Sequence, residues 1–258
     1  MQGKLARVVG GLIAVGALGV GTSPLYAQSM EVKQKPAMYS YVANWQIPRA
    51  KWAEFEKPSP SGDKVLSQAI SNGTLLAYGA DKVEVHSADG PTHDSFWSAT
   101  SMAAVLDVLD ALGKGPPDPL LQTATKHWDG IYVSHFYNWK SGTYKDVYTH
   151  TSYYKLKDSA PDDEVETVSK NFVVPLMEKL LADGSIIEYE VDEEAIHTES
   201  PAGFWIEYIT PNSAGLDKVT AALGEALKGN TFAGPAFGAV TEGADHRDYL
   251  ARSNVTYK

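Results

Sequence analysis

The chain has 258 residues, 43% of them hydrophobic, no cysteine and a formal net charge of −10. The missing cysteine excludes disulfides, a thiolate nucleophile and a cysteine-ligated metal. The negative excess repels phosphate backbones, so no nucleic-acid partner is expected. A chain of this length buries roughly 70% of its unfolded surface, enough for a core to hold it without disulfides.

Residues 1–27 read as a cleavable signal peptide. Lys4 and Arg7 precede the apolar run VVGGLIAVGALGVG, and TSPLYA ends on the small residue Ala27. The run is about fourteen residues, short of the roughly twenty that cross a bilayer as a helix. Cleavage near Ala27 places the protein in the periplasm or outside the cell, with no stable membrane insertion. It removes two positive charges and takes the formal charge from −10 to −12. A retained N-terminal anchor is the alternative. Residues 28–37 form a linker.

The first half, residues 38–141, opens on AMYSYVANWQI, whose alternation and Tyr, Val and Trp content predict a strand. PRAKWAEFEK starts a helix, PSPSG breaks it, and DKVLSQAISNG resumes it up to Gly73. TLLAYGADKVEVHS is a strand, ADGPTHD a turn and SFWSAT the return strand. MAAVLDVLDALG places Val105, Val108, Leu109 and Leu112 on one helical face. PPDP is a loop and GIYVSHFYNW a strand.

The second half, residues 142–258, repeats this order. Shifted by 111 residues, NGTLLAYGADKVEVHS from Asn72 falls on DGSIIEYEVDEEAIHT from Asp183 without a gap. Tyr78 meets Tyr189, Asp81 meets Asp192 and His86 meets His197. Phe96–Trp97 aligns with Phe204–Trp205 if the first hairpin carries a three-residue insertion. HWDGIYVS from His127 matches HRDYLARS from His246. Pro175 interrupts the helix DDEVETVSKNFVVPLMEKLLADG near the place of the first break. GNTFAGPAFGAVTEG reads as a long loop, and RSNVTYK is a short last strand. The acidic runs DDEVE and VDEEA read as solvated faces.

Strand, helix, strand, strand, helix, strand, made twice, is the ferredoxin-like unit. The expected fold class is α+β, with two tandem ferredoxin-like βαββαβ repeats forming a pseudo-dimeric α+β barrel. The chain thus resembles the dimeric α+β barrel superfamily, by element order and duplication over nearly the whole mature chain. No catalytic signature carries a residue role across. The resemblance implies a range of activities, from cofactor-free monooxygenases and isomerases to haem enzymes.

Three constellations are candidates for chemistry. His86 and His197 end matched strands, facing away from the apolar side. They are either proton-transferring imidazoles or rings that bond a turn. His127 and Asp129, with His246 and Asp248, fit a carboxylate-oriented imidazole, or a turn. A metal needs further ligands that the local sequence lacks, so no metal is predicted. The third is the aromatic run across the middle of the chain. Alternation predicts that His135 and Tyr137 share one strand face and that Tyr148, His150 and Tyr154 share another. Tyr39, Tyr41 and Trp45 join them as lining for a small-molecule pocket. Ordinary half-buried strand packing is the competing account.

No G-x-S-x-G elbow, P-loop or G-x-G-x-x-G follows a strand, so neither serine-nucleophile nor nucleotide-cofactor chemistry is expected. The reading is an exported barrel that binds a small, partly aromatic molecule, with cofactor-independent acid–base or oxygenase-type chemistry. A non-catalytic binding or assembly protein is the alternative, and a haem-binding barrel the third case. Oligomeric state is left open.

Overall fold

The structure is a computed structural model describing residues 34–57, 60–115, 119–198, 200–229 and 233–258. The signal-peptide reading, most of the linker and part of PSPSG and PPDP lie outside the described residues. The described residues belong to one compact unit.

Alternating sequences become eight strands: β1 (Met38–Gln46), β2 (Ala77–Val83), β3 (His93–Ala99), β4 (Lys126–Trp139), β5 (Gly142–Lys155), β6 (Glu188–Glu194), β7 (Gly203–Thr210) and β8 (Arg247–Tyr257). Between them lie α1 (Trp52–Phe55), α2 (Pro60–Ser71), α3 (Met102–Gly113), α4 (Glu164–Val168), α5 (Val174–Asp183), α6 (Ser213–Gly229) and α7 (Ala233–Val240). The expected loop GNTFAGPAFGAVTEG therefore contains a helix. A π-helical turn, Ser169–Val173, joins α4 to α5. Pro175 falls in the first turn of α5, where its missing N–H is tolerated.

The strands close in the order β1-β3-β2-β8-β5-β7-β6-β4, and every neighbouring pair is antiparallel. This corrects the expected fold class. The molecule is a single closed antiparallel β-barrel of eight strands with few helices, not two α+β repeats that face each other. β2 pairs with β8 and β4 with β6, so the halves share one hydrogen-bonded wall. Closure satisfies edge strands that two separate sheets would leave open.

The register also corrects the Phe-Trp alignment. Ala77 faces Ser98 as Glu188 faces Ile209, and both pairs are related by the same 111-residue shift. The hairpins therefore match without an insertion, and Trp97 corresponds to Tyr208. Phe96 and Trp205 face the barrel interior, whereas Trp97 and Phe204 belong to the clusters under the helices.

Two apolar clusters sit between the outer wall and the helices. One joins Tyr41, Trp97, Val105 and Val108. The other joins Phe136, Met177, Leu180, Tyr189, Phe204 and Tyr208. A third cluster, including Ala77, Val147, Ile209, Val255 and Tyr257 with Phe96 and Trp139, plugs one end of the interior. Gly79 sits at its margin, where an added Cβ would lie 2.5 Å from Phe96 and 2.8 Å from Val255. Gly79→Val is expected to destabilise by about 1–3 kcal/mol, the usual cost of overpacking. A urea midpoint at or above that of the parent protein would contradict this packing.

Candidate ligand site in the barrel

Alternate strands of the barrel run in the same direction, so the β2–β3 and β6–β7 hairpins emerge at one end. The plug closes the other. Between them is a cavity of about 200 Å³. Its mouth carries Pro91, Trp128, Tyr132, Trp205 and Tyr249. Below the rings, Asp81, Asp94, Glu190, Asp192 and Glu207 line the wall. Glu188 continues the inward row of β6 towards the plug and is only 1% exposed.

The strand register dictates which carboxyls meet. Asp81 lies opposite Asp94, and Glu190 opposite Glu207. Like charges placed so are destabilising when both are ionised. At the two seams Asp81 lies opposite Ser253, and Asp192 opposite Ser134. The Ser134 hydroxyl donates to Asp192, and Ser253 hydrogen-bonds Asp81. Thr151 donates to Glu207 at 2.6 Å. The sequence matches Asp81/Asp192 and Ser134/Ser253 thus converge on one Ser–Asp pair made twice.

Burial in the low-dielectric wall disfavours the ionised form of each acid. It pushes Asp81 and Asp192 up to about 6, with their serine partners opposing the rise. Glu207 is pushed up to about 8 by burial and then by the charge of Asp81. Asp94 is raised by burial and by Asp81, Glu190 by burial and by Asp192, and Glu188 by burial and by Glu207. Asp81, Asp94, Glu190 and Glu207 keep partial contact with cavity solvent although they lie deep in the wall. At neutral pH the site holds both carboxylates and carboxylic acids. It can accept a proton or donate one to a bound molecule.

The residues singled out from sequence occupy other places. Tyr39, Tyr41 and Trp45 pack on the outer wall beneath α2 and α3, with Tyr41 stacked on Trp97 at 4.5 Å. His150 stacks on Tyr208 at 4.9 Å, in the corresponding outer position. Tyr154 stacks on His246 at 4.5 Å, and Tyr148 lies under the Arg252 guanidinium at 4.6 Å. His127 stacks on Trp45, and its Nδ1 lies 2.9 Å from the Asn44 carbonyl. His246 repeats this with its Nδ1 2.8 Å from the Tyr153 carbonyl. His127 Nε2 is 3.4 Å from Asp129, and His246 Nε2 is 3.3 Å from Asp248. These are the two His-x-Asp motifs, each fixing an imidazole against the outer wall.

His135 is the extra residue of a bulge in β4. That bulge breaks the predicted alternation, so Phe136 packs under the helices and Trp139 turns into the plug. Tyr137 stacks on Trp139 at 5.4 Å and donates to the Pro36 carbonyl. His86 and His197 are exposed in the hairpins at the mouth end, and His86 stacks on Trp52 at 4.9 Å. None of these residues lines the cavity. The lining acids of β6 were legible as an every-second-residue pattern in EYEVDEE, but that pattern reads equally as a solvated face.

The chain is thus a closed, eight-stranded antiparallel barrel with helices packed on its outer wall. No family model matches the sequence, and no curated protein is similar to it. Solved structures are similar in fold. One is a "putative monooxygenase" of Lactobacillus acidophilus NCFM, with TM-score 0.60 and 10% identity, covering 86% of this chain and 96% of that one. Another, from Fusobacterium nucleatum subsp. nucleatum and named in the same words, has TM-score 0.61 and 7% identity over 87% and 95% of the two chains. An anthrone oxidase-like protein has TM-score 0.51 and 8% identity over 88% and 95%.

Haem, which the superfamily resemblance brings in, does not fit the interior as built. Among the described residues no histidine lines the cavity, and its carboxyls would repel the anionic propionates. Among the described residues no group of three or more His, Asp or Glu side chains is arranged to hold a metal ion, and no helix is long and apolar enough to cross a membrane.

Proposed function

We propose that the protein binds a small, partly aromatic molecule inside the barrel and performs acid–base chemistry on it. The observation that carries this reading is the aromatic-mouthed cavity set over paired carboxyls. Trp128, Tyr132, Trp205 and Tyr249 line the mouth with aromatic rings, which suits a flat ligand. Glu207, raised to about 8, is suited to give up a proton near neutrality, and Asp81 and Asp192 to accept one. The names of the fold neighbours, putative monooxygenases and an anthrone oxidase-like protein, suggest oxygenase-type chemistry as the reaction class, and the absence of a nucleotide-binding motif from the sequence fits chemistry without a nucleotide cofactor. Fold alone does not fix function.

A calorimetric screen with single-ring phenols tests the reading. Trp205→Ala is expected to weaken any ligand found by about tenfold, or about 1.4 kcal/mol, with folding retained. Equal affinity in the parent and variant would overturn the assignment of the mouth. Export through residues 1–27 belongs to the proposal. Protein isolated from its host should begin near Gln28, and an intact Met1 would refute cleavage.

A further inference from the structure

The interior gathers acids and gives them no counter-charge. Among the described residues, five carboxyls line the cavity and no lysine or arginine does. Below them Glu188 is almost wholly buried, and neither of its carboxyl oxygens has a hydrogen-bond partner among the described residues. Asp81 Oδ1 is also without a partner. An unpaired buried carboxyl costs free energy, and the serine and threonine hydroxyls that bond Asp81, Asp192 and Glu207 do not reach Glu188.

We infer that the ligand is a small organic cation, an amine or amidine carried on a single apolar or aromatic ring. This rests on the ligand-site reading above and specifies its substrate class. The rings at the mouth favour a cation as well as a flat body, because indole and phenol faces attract positive charge. The volume limits the size. A cavity of about 150 Å³ holds benzene, so about 200 Å³ holds one ring with a short charged arm. A bare metal ion is disfavoured by geometry, since no three described acids or histidines converge to ligate one.

Calorimetry on the purified protein at pH 7.5 separates the possibilities. The probes are benzylamine and benzamidine as cations, benzyl alcohol as the neutral analogue and phenylacetate as the anion. A cation is expected to bind at least tenfold more tightly than benzyl alcohol, and phenylacetate not at all. Asp192→Asn should lower cation affinity about tenfold, a larger loss than it causes for benzyl alcohol. Glu190→Gln serves as the second variant, with circular dichroism confirming the fold of each. Benzyl alcohol binding as tightly as the cations would overturn the inference and leave the ligand-site reading standing. No binding by any probe would overturn both. Displacement of benzamidine by Ca²⁺ or Zn²⁺, with a rise in Tm on adding the metal alone, would replace the organic cation by a metal ion.

Discussion

The unfolding temperature of the protein is expected to fall as pH rises from about 6.5 to 9. The acids of the barrel have their folded-state pKa values raised above the unfolded range near 4. The folded state therefore holds more protons, and stability decreases with pH wherever that is so. Each acid contributes its full stability below its unfolded pKa and loses it as pH passes its folded pKa. For Asp81 and Asp192 the loss is complete shortly above pH 6, and for Glu207 above pH 8. His93 acts in the opposite direction. Burial lowers it to about 4, so the folded state gains stability as pH rises from about 4 to 6.5. The two effects oppose each other below pH 6.5, and only the decline remains above it.

A pKa unit is worth about 1.36 kcal/mol. Glu207 alone contributes on the order of 2 kcal/mol between pH 6.5 and 8, reduced by cavity water. Asp94, Glu188 and Glu190 add to it in the same direction. A loss on the order of 2 kcal/mol from Glu207 alone is a sizeable share of a domain's stability and corresponds to a fall of roughly 4–8 °C in Tm for a chain of this size. Thermal melts followed by circular dichroism at pH 6.5, 7.5, 8.5 and 9 measure it. Glu207→Gln should flatten the curve, which general charge repulsion would not explain. A Tm that is flat or rises over this range would contradict the buried acid cluster.

The second large effect concerns Glu188. Its side chain faces Ile209 across the β6–β7 pair and lies near the plug of Val147, Val255 and Tyr257. Replacing an unpaired buried carboxyl with an apolar group of similar size removes a desolvation cost of about 1–3 kcal/mol. Glu188→Leu is therefore expected to raise stability by that amount at pH 8, read as a higher urea midpoint with an unchanged slope. Most substitutions of a fully buried residue do the reverse. A lower midpoint would mean that the carboxyl has a stabilising partner in the folded protein. A residue that costs stability where it stands fits the trade-off seen at functional sites.

Much of the architecture was legible from local pattern. Period-two alternation in MYSYVANWQ and period-3.6 spacing in MAAVLDVLDALG mark β1 and the helix α3. The 111-residue match of Asn72–Ser87 to Asp183–Thr198 survives as equal positions in the barrel, and Gly73 and Gly184 both adopt positive φ. The Phe-Trp alignment failed because residue identity does not report strand face. One residue of register turns a side chain from the core to the interior. The bulge at His135 failed for the same reason, since alternation cannot show where one residue is skipped.

The site was less legible. Tyr39, Tyr41, Trp45, His150 and Tyr154 look like lining because polar aromatics are unusual in a plain core. They are held on the outer wall by helix packing and ring stacking. The acids of EYEVDEE look like a solvated face, since an isolated sheet has one face in water.

The sequence by itself determined the eight strands and most helices, their twofold order, the charge balance and, outside the bulge of β4, which residues of a strand share a face. Only the tertiary structure decided which of those faces was enclosed. A strand's alternation separates two faces but does not say what covers either. Pairing of β2 with β8 and β4 with β6 wraps the polar face inward and leaves the apolar face to the helices. That closure turns Asp81, Asp94, Glu188, Glu190, Asp192 and Glu207 from surface charges into a buried acidic chamber.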